Sequence, residues 1–187
     1  MRSLVSVSLC LLLLCCSCAS SITRGYRKGE TVTVGKEQLP PMIDASDRLC
    51  KYNMTIDFMR KHFSGLLLVK QSEAGTYRML FSTHFGLSLF DFEIGRDSLV
   101  VHHCIEPLNK KRILDLFSRD FSVLLGLPVQ AVKMVVVYDT SGCMQEIRLG
   151  SGLRKTTFRS ITDSTGVDVI RIRHTGLRLS IGLDGLD

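Results

Sequence analysis

The sequence predicts a mainly β protein of the α+β type, in which an antiparallel sheet is built from two groups of about five strands separated by one amphipathic helix. Three observations carry this. Apolar side chains recur at every second residue over most of the chain after Cys50, the connections between these runs are short and turn-like, and only residues 107–126 shift to helical spacing. Successive strand residues point to opposite faces, so the alternation marks strands buried on one face.

The N-terminal elements come first. Met1-Arg2-Ser3 is a short positive start, and the apolar run over residues 4–14 falls well short of the roughly 20 residues needed to span a bilayer. Residues 1–17 therefore read as an export signal. The run ends in Leu13-Leu14-Cys15-Cys16-Ser17-Cys18-Ala19-Ser20, which resembles a bacterial lipobox, where a small residue precedes a cysteine that is diacylated before cleavage. Ser17 makes Cys18 the expected lipidation site. Cys16, with Leu13 three residues before it, is the alternative, and an ordinary secretory signal padded with cysteines is the plainer reading. A single acyl chain holds a protein only marginally, whereas two or three make attachment nearly permanent. No acidic run follows Cys18, as one tends to in surface-displayed lipoproteins of Bacteroides-like bacteria. The expected location is thus the bacterial cell envelope, lipid-anchored in the outer membrane and facing the periplasm.

Residues 18–41 are rich in Ser, Thr, Gly, Lys and Arg, close on Pro40-Pro41, and read as a lipidated N-terminus and flexible tether with a reach of roughly 25 to 30 Å. Residues 42–187 are left as one domain. Residues 42–49 are compatible with a short helix. Met54, Ile56 and Phe58 then alternate with Thr55 and Asp57; Leu66 and Leu68 mark a second strand, and Tyr77, Met79 and Phe81 a third. Residues 87–94 and 99–104 are the fourth and fifth. Ser72-Glu73-Ala74-Gly75, His84-Phe85-Gly86 and Gly95-Arg96-Asp97-Ser98 supply the turns. Within 107–126, Ile113, Leu114, Phe117, Phe121, Leu124 and Leu125 fall at helical spacing, with Asn109 the expected N-cap and Gly126 the expected stop. After Pro128 the strand period returns in Val132, Met134, Val136 and Tyr138, then over 144–150, 154–160 and 167–173. The last strand is the clearest, with Leu177, Leu179, Ile181 and Leu183 opposite Arg178 and Ser180.

Composition narrows the classes. A chain of 187 residues with 45% hydrophobic content can bury one core. Removing residues 1–17 takes away only Arg2 and leaves 23 basic against 18 acidic residues, a mild +5 that suits anionic lipid headgroups. There is no dense Lys/Arg run, RNA-binding aromatic signature or zinc-finger spacing, so nucleic acid is not an expected partner. Cys50, Cys104 and Cys143 form no CxxC pair; they read as free thiols or as one disulfide plus an odd cysteine. His102-His103-Cys104 is the densest cluster of metal-ligand residue types, but neighbours on a strand face opposite ways, so no metal site is expected there. With no nucleophile elbow, P-loop or dinucleotide fingerprint, the chain is not expected to be an enzyme or to carry a cofactor.

Phe63-Ser64-Gly65-Leu66-Leu67-Leu68-Val69, Thr76-Tyr77-Arg78, Phe85-Gly86-Leu87 and Leu108-Asn109-Lys110-Lys111 with Asp120-Phe121 are similar to segments of uncharacterised LolB-like lipoproteins. Together with the strand-helix-strand order, they make roughly residues 50–187 resemble the LolA/LolB family. The resemblance implies a sheet curled into an incomplete barrel, its concave face covered by the helix, that binds acyl chains or the lipid moiety of lipoproteins. Expected lining residues are Phe58, Leu66, Leu68, Met79, Phe81, Phe90, Phe92, Phe117, Phe121, Met134 and Val136, each of which also reads as plain core. It further implies an apolar side chain on a turn that enters the membrane. Phe85 is the nearest analogue, an inward-folded Phe85 being the competing reading. Two functions follow: a carrier or insertase whose partner is lipid or acylated protein, and a noncatalytic accessory lipoprotein that docks an envelope protein.

Overall fold

The alternating segments form strands of one antiparallel sheet. β1 (Tyr26–Arg27) and β2 (Thr31–Val34) precede β3 (Cys50–Phe58), β4 (Lys61–Glu73), β5 (Thr76–Ser82), β6 (Ser88–Ile94) and β7 (Leu99–Cys104). Helix α1 (Lys111–Leu124) follows, and then β8 (Val132–Asp139), β9 (Met144–Leu149), β10 (Thr156–Thr162), β11 (Asp168–His174) and β12 (Leu179–Leu186). The structure, a computed structural model, describes residues 26–27, 31–34, 41–73, 75–129, 132–139, 143–162 and 168–186.

Strand order across the sheet is β7-β6-β5-β4-β3-β12-β11-β10-β9-β8, with β1 and β2 added along β8. Two meanders are thus joined through β3 and β12, which pair from Lys51↔Leu186 to Phe58↔Leu179. β7 and β8 stand at opposite ends of this order and do not pair, so the sheet is an incomplete barrel.

Contacts of α1 show the curl. Phe117 and Phe121 pack on Phe90 of β6 with ring centroids 5.8 and 5.9 Å apart, while Asp120 and Arg119 bond to His174 of β11 and Thr156 of β10. β6 and β10 are six strand spacings apart in the sheet order, about 29 Å if flat, and a helix is only about 10 Å across. One helix reaches both because the sheet wraps around it. Ile113, Phe117, Asp120, Phe121 and Leu124 form its buried stripe. Burying each phenyl contributes on the order of 2 kcal/mol.

The ends of α1 test the sequence reading. Gly126 takes a left-handed φ of +67° and donates to Val123 O at 3.2 Å, while Leu127 N–H reaches Ser122 O at 2.8 Å; this paired closure is the expected glycine stop. The N-cap is Lys110 rather than Asn109, with no side-chain cap bond, because residues 105–110 make a tight turn of their own in which Asn109 N–H donates to Ile105 O at 3.0 Å.

Two further expectations are corrected. Residues 42–49 form bends, not a helix: Met42 and Ile43 N–H both donate to Leu124 O, at 2.8 and 2.9 Å, satisfying a carbonyl that the helix end leaves free. The stretch expected as an unbroken tether also supplies β1 and β2, whose register on β8 runs from Tyr26↔Asp139 to Val34↔Val132. They cover an otherwise open sheet edge.

Candidate functional site

The concave face is built by the inward phase of each strand. Tyr52, Met54 and Ile56 of β3, Leu67 and Val69 of β4, and Met79 and Phe81 of β5 are all buried, as are Ile147, Phe158, Ile170, Ile172 and Ile181 from the second meander. Of the expected lining residues, Met79, Phe81, Phe90, Phe92, Phe117, Phe121, Met134 and Val136 lie in this core, and Phe58 lies half-buried at its edge. Leu66 and Leu68 do not. The pairing Tyr52↔Leu67 and Cys50↔Val69 directs the odd-numbered residues of β4 inward, so Leu66 and Leu68 face out. Leu68 instead lines an outer groove of about 420 Å³ with Leu49, Lys70, Arg78, Leu80 and Asp91.

Five phenyl rings occupy the centre. Phe90 stacks on Phe92 at 4.3 Å and meets Phe81 at 5.3 Å, while Phe117 meets Phe121 at 5.5 Å. All five are fully buried, so in this conformation the concave surface is filled by the protein's own side chains.

Beside the rings lies a buried polar chain that sequence reasoning missed. Asp120 Oδ2 is 2.6 Å from His174 Nε2, His174 Nδ1 is 3.1 Å from Thr156 Oγ1, and Arg119 Nη2 donates to Thr156 Oγ1 at 2.9 Å. Each donor is used once if Arg119 donates to Thr156, Thr156 to His174 Nδ1, and His174 Nε2–H to Asp120. The residue types match a nucleophile-base-acid relay. However, Thr156 is 1% exposed and already accepts from Arg119, so the arrangement holds α1 to β10 and β11 rather than presenting a hydroxyl to solvent. The signal was present in the sequence: Asp120 sits at helical spacing within an apolar stripe, and His174 continues the inward phase of Ile170 and Ile172.

Phe85 is not folded inward. It is 99% exposed at the tip of the β5–β6 turn, which is pinned by Thr83 N–H to Leu87 O at 2.8 Å and Gly86 N–H to Thr83 O at 2.9 Å; Leu87 beside it is 62% exposed. The backbone presents an aromatic ring to solvent in a fixed turn.

A bulge in β7 changes the directions in which His102 and His103 point from those that strict alternation predicts. Phe92 pairs with Val101 and Asp91 with His103, leaving His102 as the extra residue and breaking the alternation that would separate the two rings. His102 Nε2 lies 3.3 Å from Glu93 Oε2, and His103 Nε2 lies 3.2 Å from Ser88 O. The hydrogen bond from Arg78 holds the Asp91 carboxyl below the usual range, with both histidines adding to the effect. Among the described residues no group of three His, Cys, Asp or Glu is placed to hold a metal ion. Cys104 is half-buried, its thiol pushed up to about 11 by burial, and the Cys50 thiol, also raised by burial, lies 3.1 Å from Asp44 O.

On the outer face Glu146 is buried, which by itself raises its pKa, but hydrogen bonds from Arg148 and Arg159 outweigh this and lower it. A carboxylate whose folded pKa is lowered contributes stability above its unfolded pKa and loses it as pH falls through the folded value. Melting temperature is therefore expected to drop between neutral pH and about pH 3, and the drop should be smaller in Glu146→Gln. Equal drops in both proteins would count against this role.

Cys16, Cys18 and the signal segment lie outside the described residues. No helix among the described residues is long and apolar enough to cross a membrane. Comparison with protein-family models and with curated proteins finds no match to this chain. Fold and site together define a mainly β protein in which an open antiparallel sheet is wrapped on one helix, with a filled apolar interior and an aromatic tip at one end.

Proposed function

We propose that this chain is a lipid-anchored protein of the bacterial cell envelope that receives acyl chains, of lipid or of acylated protein, at a membrane surface, as a LolA/LolB-like carrier or insertase. The observation that carries the reading is Phe85: an almost fully exposed aromatic ring on a pinned turn of a domain whose N-terminal sequence reads as a lipid-attachment signal. The incomplete barrel supports it, since a concave apolar surface covered by one helix becomes a lipid-sized site when that helix is displaced. The interior is filled with α1 in place, so entry of an acyl chain requires α1 to move.

The filled interior also favours a second reading, an accessory lipoprotein that docks a protein partner. The outer groove, with an apolar floor of Leu68 and Leu80 beside Lys70 and Arg78, is a surface for such a contact. Mass spectrometry of the gently extracted full chain separates the two. The first reading expects an acylated cysteine at Cys18 or Cys16 and a stoichiometric co-extracted acyl lipid, together with weaker vesicle association on Phe85→Glu in a chain left unacylated by Cys16→Ser and Cys18→Ser, where the near-permanent anchor is absent. An acylated chain that carries no lipid, with vesicle association of the unacylated chain unchanged by Phe85→Glu, overturns the first reading in favour of the second.

A further inference from the structure

We infer that three hairpin turns, at the end of the sheet that also carries the Phe85 turn, form a docking surface for an anionic lipid bilayer; the inference rests on the membrane-surface reading above. The turns are Met59-Arg60 with Lys61 at the start of β4, residues 150–155 ending in Leu153-Arg154-Lys155, and residues 175–178 ending in Leu177-Arg178. They form one patch. Met59 N–H donates to Arg178 O and Thr175 N–H to Lys155 O, both at 3.1 Å, and Gly176 lies so close to Leu153 that an added β-carbon would stand 2.3 Å from its carbonyl oxygen.

Each turn repeats the same chemistry, an apolar side chain followed by one or two cations. Met59, Leu153 and Leu177 are 72%, 79% and 39% exposed, and the three turns hold five basic residues and no carboxylate. On the flanking segments, Asp57 and Glu106 are each bound to a neighbour, His62 and Lys110, both at 2.7 Å. A second feature is independent of composition. Met59 (φ 56°) and Arg178 (φ 46°) are the non-glycine residues with left-handed backbone among the described residues, and both lie in this patch. That conformation favours glycine, so a long side chain at each position is kept against a local strain.

A bilayer interface accepts both groups together, apolar tips at the acyl boundary and Lys or Arg heads among anionic headgroups, without requiring a matching pocket. Near such a surface each cation favours the docked state by roughly fivefold, so removing three lowers the docked-to-undocked ratio on the order of 100-fold.

The chain has no tryptophan, so Leu153→Trp and, separately, Phe85→Trp each install a single reporter at an exposed position. The full chain is reconstituted into vesicles with brominated acyl chains, made of phosphatidylcholine alone or of equimolar phosphatidylcholine and phosphatidylglycerol. The expected result is a blue-shifted, quenched reporter at 153 in the anionic vesicles, with quenching lost in phosphatidylcholine alone and on combining Arg60→Ser, Arg154→Ser and Arg178→Ser. Equal quenching in both lipids, or quenching that survives the three substitutions, overturns the anionic docking surface. A silent reporter at 153 beside a quenched reporter at 85 overturns this surface and leaves the membrane reading intact. Silence of both overturns both.

Discussion

Replacing Phe90 by alanine is expected to cost about 4 kcal/mol of folding stability, the largest loss from any single apolar truncation in this chain. Phe90 touches four other rings, Phe81, Phe92, Phe117 and Phe121, and these come from three elements: β5, β6 and α1. Its removal takes away the transfer energy of a buried phenyl and leaves a hole that the surrounding rings cannot close, because each is itself held by strand pairing or by the helix. For a domain of this size the loss corresponds to a fall in Tm of roughly 8 to 16 °C. Thermal unfolding followed by circular dichroism measures it, and a fall of less than about 3 °C would mean that the interior relaxes around the gap. A truncation on the outer face sets the scale: Leu68→Ala, half-buried beside the groove, should cost about 1 kcal/mol or less.

Much of this fold is legible in the sequence because one-sided burial writes a period. Leu179, Ile181 and Leu183 alternate with polar or small residues and all three face the core, so both strand and phase follow from residue type. The helix is legible for the same reason, and Gly126 marks its end because few other residues adopt the left-handed turn without strain. In β4, by contrast, Leu66, Leu67, Leu68 and Val69 are all apolar and the run carries no phase. Only pairing with β3 decides that Leu67 and Val69 enter the core. The bulge at His102 is equally silent, since an extra residue changes which way its neighbours point without changing the local composition. β1 and β2 are short and rich in polar residues, and they are strands because β8 offers an unpaired edge at the right distance. The buried polar chain depends on a long-range meeting, since Asp120 and His174 lie 54 residues apart. Each sits at an inward phase on its own element, but the partner becomes visible only when the sheet has curled.

Asp120→Ala is expected to destabilise the protein by about 3 kcal/mol, more than the hydrogen bond itself is worth, because it strands a buried histidine. His174 would keep its contact with Thr156 but lose its 2.6 Å bond to the carboxylate in a site closed to water, and Arg119 would lose its 3.3 Å contact with the same group. The asymmetry between breaking the pair and replacing it gives the control: Asp120→Leu combined with His174→Phe removes both polar partners and should recover most of the loss. If the single variant costs less than about 1 kcal/mol, the pair is not holding the helix. The same substitutions also bear on function. Arg119 and Asp120 are the α1 residues that bond to β10 and β11, so weakening this attachment lowers the cost of moving α1 off the concave face. A protein that receives acyl chains there should then take up more lipid in Asp120→Ala at a temperature where it remains folded, with the Leu/Phe pair returning uptake toward the original level. A docking module should show the stability loss alone. Stability and lipid content measured on the same three proteins therefore distinguish a helix that seals a core from a helix that closes a site.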